Sequence, residues 1–184
     1  MNLALCKFKI TGIFPLLTHN PAGMQPNANS PKVKKIPTPE DEARTGLYLD
    51  DDGNYCIPSI AFRSALLNGL KGKKVGRSSA VSVFQAAVFN VDEYSVLVDP
   101  DTGKPLREYC IDTRRAIVQR NGVLRSRPKF EKWGCHVHLE VDLDITTPQQ
   151  VEEALNIAGQ VIGVGDFRIE KRGTFGKFTA ELMS

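Results

Sequence analysis

Two segments of the chain alternate between apolar and polar residues, a pattern typical of strands with one buried face. The apolar positions of the first segment are Cys6, Phe8 and Ile10. Those of the second segment are Cys135, Val137, Leu139, Val141 and Leu143. We predict that the second segment, which has the clearer alternation, is a central strand of an antiparallel sheet with its apolar side under helices.

Three further segments carry the signals of helices. Ser59 is a candidate amino-terminal cap for a helix over residues 59–70, whose apolar positions recur at helical spacing. Thr147 can cap a helix over residues 148–162, which begins with proline and has a similar apolar stripe. Thr38, followed by Pro-Glu, predicts another helix start.

Turn residues predict hairpins elsewhere in the chain. Asn121 and Gly122 predict a tight hairpin between residues 116–120 and 123–127. The Asp-Asp-Asp-Gly run at residues 50–53 predicts another between two short apolar segments.

Without insertions, the predicted order is strand, helix, two strands, helix and strand, with the last strand at about residues 177–182. This is the order of an α+β, ferredoxin-like fold, the split βαβ or RRM-like arrangement that RNA-recognition modules also use. We expect one domain, residues 1–184, since the chain is too short for two comfortable cores. Residues 15–46 are expected to form a long loop insertion or arm, and β-hairpins form further insertions.

The most informative segment is residues 163–178, here called the glycine-rich loop. It combines four glycines with basic side chains and three phenylalanines. Glycines allow close approach to the main chain, cations suit phosphates, and aromatic rings can stack on bases. The loop leads from a helix to a strand and lacks Gly-Lys-Ser/Thr, so a mononucleotide P-loop is disfavoured. The alternative is a flexible surface loop with solvated charges.

The charged residues are segregated along the chain, although the formal net charge is only +3. Residues 59–90 contain five cations and no acid, whereas acids gather at residues 40–42, 50–52 and 142–153. A molecule with a positive and a negative face suits a polyanionic ligand or head-to-tail self-association.

The remaining composition indicates a protein of a reducing cytoplasm. The four cysteines are widely spaced without a CxxC pair, and we expect Cys6 and Cys135 to be buried as free thiols. No signal peptide and no apolar run of membrane-spanning length is present in the sequence, so no membrane partner is expected. No cofactor is expected.

Three motifs in order resemble those of the RAMP superfamily, the backbone subunits of multi-subunit CRISPR effector complexes. Residues 55–66, Tyr-Cys-Ile-Pro-Ser-Ile-Ala-Phe-Arg-Ser-Ala-Leu, resemble the family's Ile-Pro-Gly-Ser-Ser-Leu-Lys-Gly-Ala-Leu-Arg start of the first helix. Residues 10–17 resemble its first strand and the exit from it, and the glycine-rich loop resembles its loop before the last strand. Residues 15–20, 125–128 and 163–168 are also similar to uncharacterised phage and prophage proteins. These resemblances imply the cytoplasm of a bacterium or of a phage-infected bacterial cell.

The resemblance implies binding of single-stranded nucleic acid, RNA or ssDNA, by a head-to-tail filament of subunits. The implied partners are a homo-oligomer or other subunits of a ribonucleoprotein complex. The candidate nucleic-acid-binding residues are Arg63, Lys71, Lys74, Arg120, Arg125, Arg127, Gly163, Gly165, Phe167, Arg168, Lys171, Arg172, Gly173 and Phe175. Phe167 and Phe175 are the candidates for base stacking.

Four histidine or tryptophan side chains admit alternative roles. His19 is a weak candidate for the general base of a metal-independent RAMP-type endoribonuclease, with Lys32–Lys35 or Arg168 as partners, and His19→Ala would then abolish cleavage. His136 and His138 share one strand face but lack enough further ligands for zinc, so no metal is expected. The lone Trp133 stacks a base or, as we favour, closes the core.

Three functions follow from these observations. The leading hypothesis is a non-enzymatic protein that binds single-stranded nucleic acid and self-assembles along it. The second is the endoribonuclease, and the third is a phage structural or interaction protein that retains the fold without the ligand. The residues of the arm, 20–37, are expected to lie on a neighbouring subunit.

Overall fold

The computed structural model describes residues 2–24, 37–118 and 121–183. Its helices are α1 (Pro39–Thr45), α2 (Ile60–Gly69), α3 (Ala80–Ala87) and α4 (Pro148–Val161). Its strands are β1 (Leu3–Gly12), β2 (Leu16–Leu17), β3 (Tyr48–Leu49), β4 (Tyr55–Pro58), β5 (Lys74–Val75), β6 (Ser78–Ser79), β7 (Val88–Asn90), β8 (Tyr94–Val96), β9 (Cys110–Val118), β10 (Asn121–Phe130), β11 (Gly134–Asp142) and β12 (Phe178–Leu182). Short 3₁₀ turns lie at Ala22–Met24 and Ile169–Lys171.

The main sheet has four antiparallel strands in the order β12, β1, β11 and β7. Strand β1 pairs with β11 from Leu3, opposite Asp142, to Thr11, opposite Gly134. Helix α2 lies between β1 and β7 in the chain, and α4 lies between β11 and β12. This connectivity confirms the predicted ferredoxin-like fold, with β11 inside the sheet as expected.

Helices α2 and α4 pack together on the apolar side of this sheet. Phe62 of α2 meets Phe178 of β12 edge to face, with ring centroids 5.4 Å apart. The predicted capping box of α4 is present, since the Thr147 hydroxyl accepts from the Gln150 amide at 3.2 Å. Near the other end of α4, Gly159 leaves room for the Phe178 carbonyl, which brings the helix close to β12.

Two predictions about element ends are wrong. Ser59 does not cap α2, because its buried hydroxyl is paired with the Ser95 hydroxyl at 2.8 Å instead. Strand β11 ends at Asp142, and Leu143 lies beyond it with 40% of its surface exposed. The other four predicted apolar positions of β11 are buried, and so are Cys6 and Cys135.

Trp133 lies in the core and has no exposed surface. Its Nε1 donates a hydrogen bond to the Phe14 carbonyl oxygen at 2.8 Å, which satisfies the only polar atom of the ring. The favoured core role is therefore confirmed.

Two smaller three-stranded sheets, β2–β10–β9 and β3–β4–β8, flank the main sheet, and α1 packs on β10 and β9. The β9–β10 hairpin is present, but Asn121 pairs with Val118, so Asn121 and Gly122 lie inside β10 and not in the turn. The ladder continues through Gly122, which pairs with Ile117 and does not have the positive φ that a two-residue hairpin turn would require of it. The pair is therefore extended, and the Arg115 guanidinium packs beside Gly122.

The described part of residues 15–46 contains β2, a 3₁₀ turn and α1. The predicted start of α1 is confirmed, because the Thr38 hydroxyl accepts a hydrogen bond from the Asp41 backbone amide at 3.2 Å. Residues 25–36, which include most of the predicted arm and Lys32–Lys35, lie outside the described residues. No helix in the described part of the chain is long and apolar enough to cross a membrane.

Candidate functional site

A cleft of about 290 Å³ lies between α2 and the glycine-rich loop. We call it the loop–helix cleft, and its walls come from residues 18–19, Tyr48, residues 57–68 and residues 162–168. The cleft is therefore assembled from three regions that are far apart in sequence.

Helix α2 contributes a face of small side chains to this cleft. Ala61, Ser64, Ala65 and Asn68 follow the spacing i, i+3, i+4 and i+7, so they lie on one side of the helix. Small residues at these positions keep the cleft open. The hydroxyl of Ser64 and the carboxamide of Asn68 make no hydrogen bond within the described residues.

The glycine-rich loop forms the opposite wall and is tied to the rest of the protein by backbone hydrogen bonds. Val164 donates to the Gly176 carbonyl at 3.0 Å, and Asp166 donates to the Leu17 carbonyl at 2.8 Å. Gly163 and Gly165 have φ angles of 72° and 77°, in the left-handed region that glycine occupies at low cost. This wall is therefore a folded structure in which several backbone amides already have partners.

Three predicted binding arginines near the cleft are paired with carboxylates. Arg125 Nη1 lies 2.8 Å from Glu42 Oε1, and Arg168 Nη2 lies 2.8 Å from Glu170 Oε2. Buried Arg127 contacts the Asp166 carboxylate through Nε, and its Nη1 has no hydrogen-bond partner among the described residues.
The Arg127–Asp166 pair joins the hairpin to the glycine-rich loop, the Arg125–Glu42 pair joins the hairpin to α1, and the Arg168–Glu170 pair lies within the loop. All three pairs reduce the local positive charge.

The two phenylalanines predicted to stack on bases already contact arginines. The Arg114 Cζ atom lies 4.6 Å from the Phe175 ring centroid, and the Arg127 Cζ atom lies 4.8 Å from the Phe167 centroid. Both distances are those of cation–π contacts. Phe167 also has a left-handed φ of 48°, which is uncommon for a bulky residue. Base stacking by these rings stays a prediction.

The structure brings only some of the predicted nucleic-acid-binding residues to the loop–helix cleft. Lys171 and Arg172 are exposed one turn beyond Arg168, and neither makes an ion pair within the described part of the chain. Gly173 packs against the Phe167 carbonyl, where a Cβ atom would collide.

Three of the predicted contacts, all among the described residues, are not brought to the cleft. Arg63 donates to the Val88 and Gln85 carbonyls at the end of α3, at 2.7 and 3.0 Å. Lys71 and Lys74 are exposed beyond the carboxyl end of α2 and do not line the cleft. Arg120 lies outside the described residues.

His19 lines the loop–helix cleft together with Arg168, one of its predicted partners. Burial lowers the pKa of His19 below its ordinary value of 6.5; the nearby Asp166 opposes this shift and Arg127 reinforces it. His136 and His138 lie on the outer side of β11, far from this arrangement in the fold, and His138 Nδ1 is 2.6 Å from Asp92. No group of three metal-ligating side chains occurs among the described residues.

The lowered pKa values of His19 and His136 predict that acid destabilises the fold. Below their ordinary pKa of 6.5, the unfolded chain binds protons that the folded protein resists, so stability falls as the pH falls. We expect the melting temperature to drop between about pH 7.5 and about pH 5.5, a window in which carboxylates stay ionised. The drop should be smaller in the His19→Gln/His136→Gln double variant; an equal drop would contradict this assignment.

Sequence reasoning missed several residues that line the cleft, namely Thr18, Tyr48, Ser64, Asn68 and Asp166. The signal for the α2 residues was present, because small and polar residues recur there at helical spacing. Asp166 lies inside the glycine-rich loop, but it is one of two acids there and the sequence reasoning considered only the cations and rings. Nothing in the sequence placed Thr18 or Tyr48 beside that loop, since their position depends on tertiary packing.

Comparisons with known proteins bear on the fold. The sequence matches no protein-family model and no curated protein. The chain is similar to one in the "Cryo-EM structure of the Type III-B Cmr-beta bound to cognate target RNA", with a TM-score of 0.58 and 13% identity, over 100% of this chain and 60% of that chain. It also matches the "Crystal structure of Cmr6 from Pyrococcus furiosus", with a TM-score of 0.48 and 12% identity, over 98% of this chain and 100% of that chain. The likeness to the Cmr-beta chain confirms the expected resemblance at the level of the fold alone.

Proposed function

We propose that this protein binds single-stranded nucleic acid, with RNA as the favoured ligand, at the loop–helix cleft. The main observation in support is that the glycine-rich loop and helix α2, which are separate in sequence, form the two walls of one cleft. The similar Cmr-beta chain belongs to a complex bound to target RNA, which supports RNA for this chain as well.

Phosphate recognition is assigned to the exposed cations at the edge of the cleft. Lys171 and Arg172 follow the cleft-lining Arg168 and have no ion-pair partner among the described residues, so their charges are available. The charges of the paired arginines in this region are partly offset by their carboxylates, so they attract phosphate less strongly. The ligand's backbone is therefore expected to run past Lys171 and Arg172.

The test is the salt dependence of binding to a short labelled oligouridine, followed by fluorescence anisotropy. Each phosphate neutralised on a single strand contributes a slope of about −0.7 to log K against log salt. Lys171→Ala/Arg172→Ala should weaken binding and reduce the magnitude of the slope by about 1.4.

Lys104→Ala/Arg107→Ala is the matched control, because it removes the same charges from an exposed segment that does not line the cleft. Equal effects of the two double variants would show a general charge effect and contradict the assigned phosphate contacts. A wild-type protein that binds neither oligouridine nor oligothymidine would overturn the proposed function.

The proposal includes assembly of several copies along one ligand strand. The segregation of charge along the chain supports head-to-tail contacts, which build open assemblies. We expect the measured mass of the protein to rise in steps of one subunit as the added oligouridine is lengthened. A mass that never exceeds one protein per strand would contradict assembly and leave binding intact.

A further inference from the structure

The charges around the loop–helix cleft disfavour a phosphate inside it. Asp166 forms part of the cleft wall, and its carboxylate is partly exposed. Arg168, which also lines the cleft, is held by Glu170 through both Nε, at 3.1 Å, and Nη2, at 2.8 Å. A negatively charged phosphate in the cleft would therefore meet one carboxylate and an arginine that is already neutralised.

The walls of the cleft suit a flat, uncharged group. Ile57, Pro58, Ala61, Ile162 and Val164 supply apolar surface on both the helix side and the loop side. The volume of about 290 Å³ is at the lower end of the range for small-molecule sites. A site of this size holds one ring system with its substituents and excludes a stacked strand.

Polar groups without partners are placed at the same walls. Ser64 and Asn68 point from one face of α2, and the His19 imidazole comes from the opposite side. None of these side chains makes a hydrogen bond within the described residues, although the His19 carbonyl accepts from the Tyr48 hydroxyl at 3.0 Å. A carboxamide offers both donors and an acceptor, which is the combination that the edge of a nucleobase requires.

We propose that the loop–helix cleft holds one nucleobase, turned out of the strand, while the adjoining phosphates stay outside beside Lys171 and Arg172. This inference rests on the proposed function and specifies which part of the ligand enters the site. The cleft is preformed, because backbone hydrogen bonds fix the glycine-rich loop and glycines supply its left-handed turns. Binding therefore orders little protein and gains the contacts of one base.

The experiment compares oligouridine with an oligomer of the same length in which every base is absent, so that the phosphates are retained. Ala61→Leu places a larger side chain in the cleft at a half-buried position. It should weaken oligouridine binding by about 5- to 150-fold, the contribution of one stacked base. Binding of the abasic oligomer and the salt slope should stay unchanged, since the phosphate contacts remain.

Two further variants keep the result interpretable. Ser64→Leu fills the same cleft from an exposed helix position, which tolerates the change if Ala61→Leu fails to fold. Ala86→Leu makes the same change as Ala61→Leu at an exposed position of α3 outside the cleft. It should change neither the affinity for oligouridine nor the affinity for the abasic oligomer.

The possible outcomes separate this inference from the proposed function. Equal weakening of both oligomers by the filled cleft would show that the ligand backbone occupies it, and no weakening of either would show that the cleft is unused. Either result overturns the nucleobase site and leaves nucleic-acid binding in place. A wild-type protein that binds neither oligomer would overturn both the nucleobase site and the proposed function.

Discussion

Trp133→Ala is expected to lower the free energy of unfolding by about 3–5 kcal/mol, the usual cost of truncating a large buried aromatic residue. The ring has no exposed surface and packs against Gly12, where a Cβ atom would collide with it. The variant also leaves the Phe14 carbonyl without its 2.8 Å hydrogen bond. Urea unfolding followed by circular dichroism measures the change.

Trp133→Phe is the matched control, because it keeps an aromatic ring in the core and removes only the Nε1 donor and part of the volume. It should cost less than the alanine variant. A Trp133→Ala protein that keeps its stability but loses oligonucleotide affinity would instead assign the ring to base stacking.

Gly176→Ala is expected to destabilise the glycine-rich loop by about 2–5 kcal/mol. Gly176 has a φ of 68°, and an L-residue in that conformation costs about 1–2 kcal/mol. A Cβ atom there would also collide with the Val164 carbonyl, and such overpacking costs about a further 1–3 kcal/mol. The change should therefore reduce both the free energy of unfolding and oligouridine affinity.

Gly76→Ala separates the conformational cost of a positive φ from the cost of the collision with the Val164 carbonyl. Gly76 has a similar φ of 60°, but no atom lies within 4 Å of the position its Cβ would take. It should show only the conformational cost, with unchanged affinity. Equal destabilisation by the two variants would mean that the collision with Val164 is relieved by a small shift and that close packing of the loop contributes little.

The parts of the fold that sequence predicted well depend on local signals. Helix α4 has its cap, its proline and its apolar stripe within one continuous segment, and strand β11 has an uninterrupted alternation. The order of strands and helices then follows from the order of these signals along the chain, which is why the ferredoxin-like fold could be predicted.

The errors arose where a distant residue competes with a local signal. Ser59 has the right type and position for a cap, but Ser95 takes its hydroxyl. Asn-Gly is a strong turn signal, but the pairing of β10 with β9 extends through both residues, as far as Asn121 opposite Val118.

The same limitation applies to the candidate site. The cations could be identified from the sequence, but their partners could not. Glu42 and Arg125 are 83 residues apart in the chain, so nothing local indicates that they form an ion pair. The loop–helix cleft is likewise a product of tertiary packing, because its three contributing regions are not consecutive.

The central claim is that nucleic acid binds at the loop–helix cleft and not on the open face of the main sheet, the surface that RNA-recognition modules use. The open face carries Lys7, Lys9 and His136, with Phe89 as the aromatic residue among the outward positions of the four described strands. Besides the imidazoles of His136 and His138 this is a single aromatic ring, which gives the face little capacity to stack successive bases.

Ultraviolet crosslinking of the wild-type protein to oligouridine, followed by mass spectrometry of the crosslinked peptides, tests this claim most directly. The account predicts crosslinks in residues 57–68 and 162–172, which form the two walls of the cleft and its edge. Crosslinks confined to residues 3–12, 88–90, 134–142 and 178–182, on the strands of the main sheet, would contradict it.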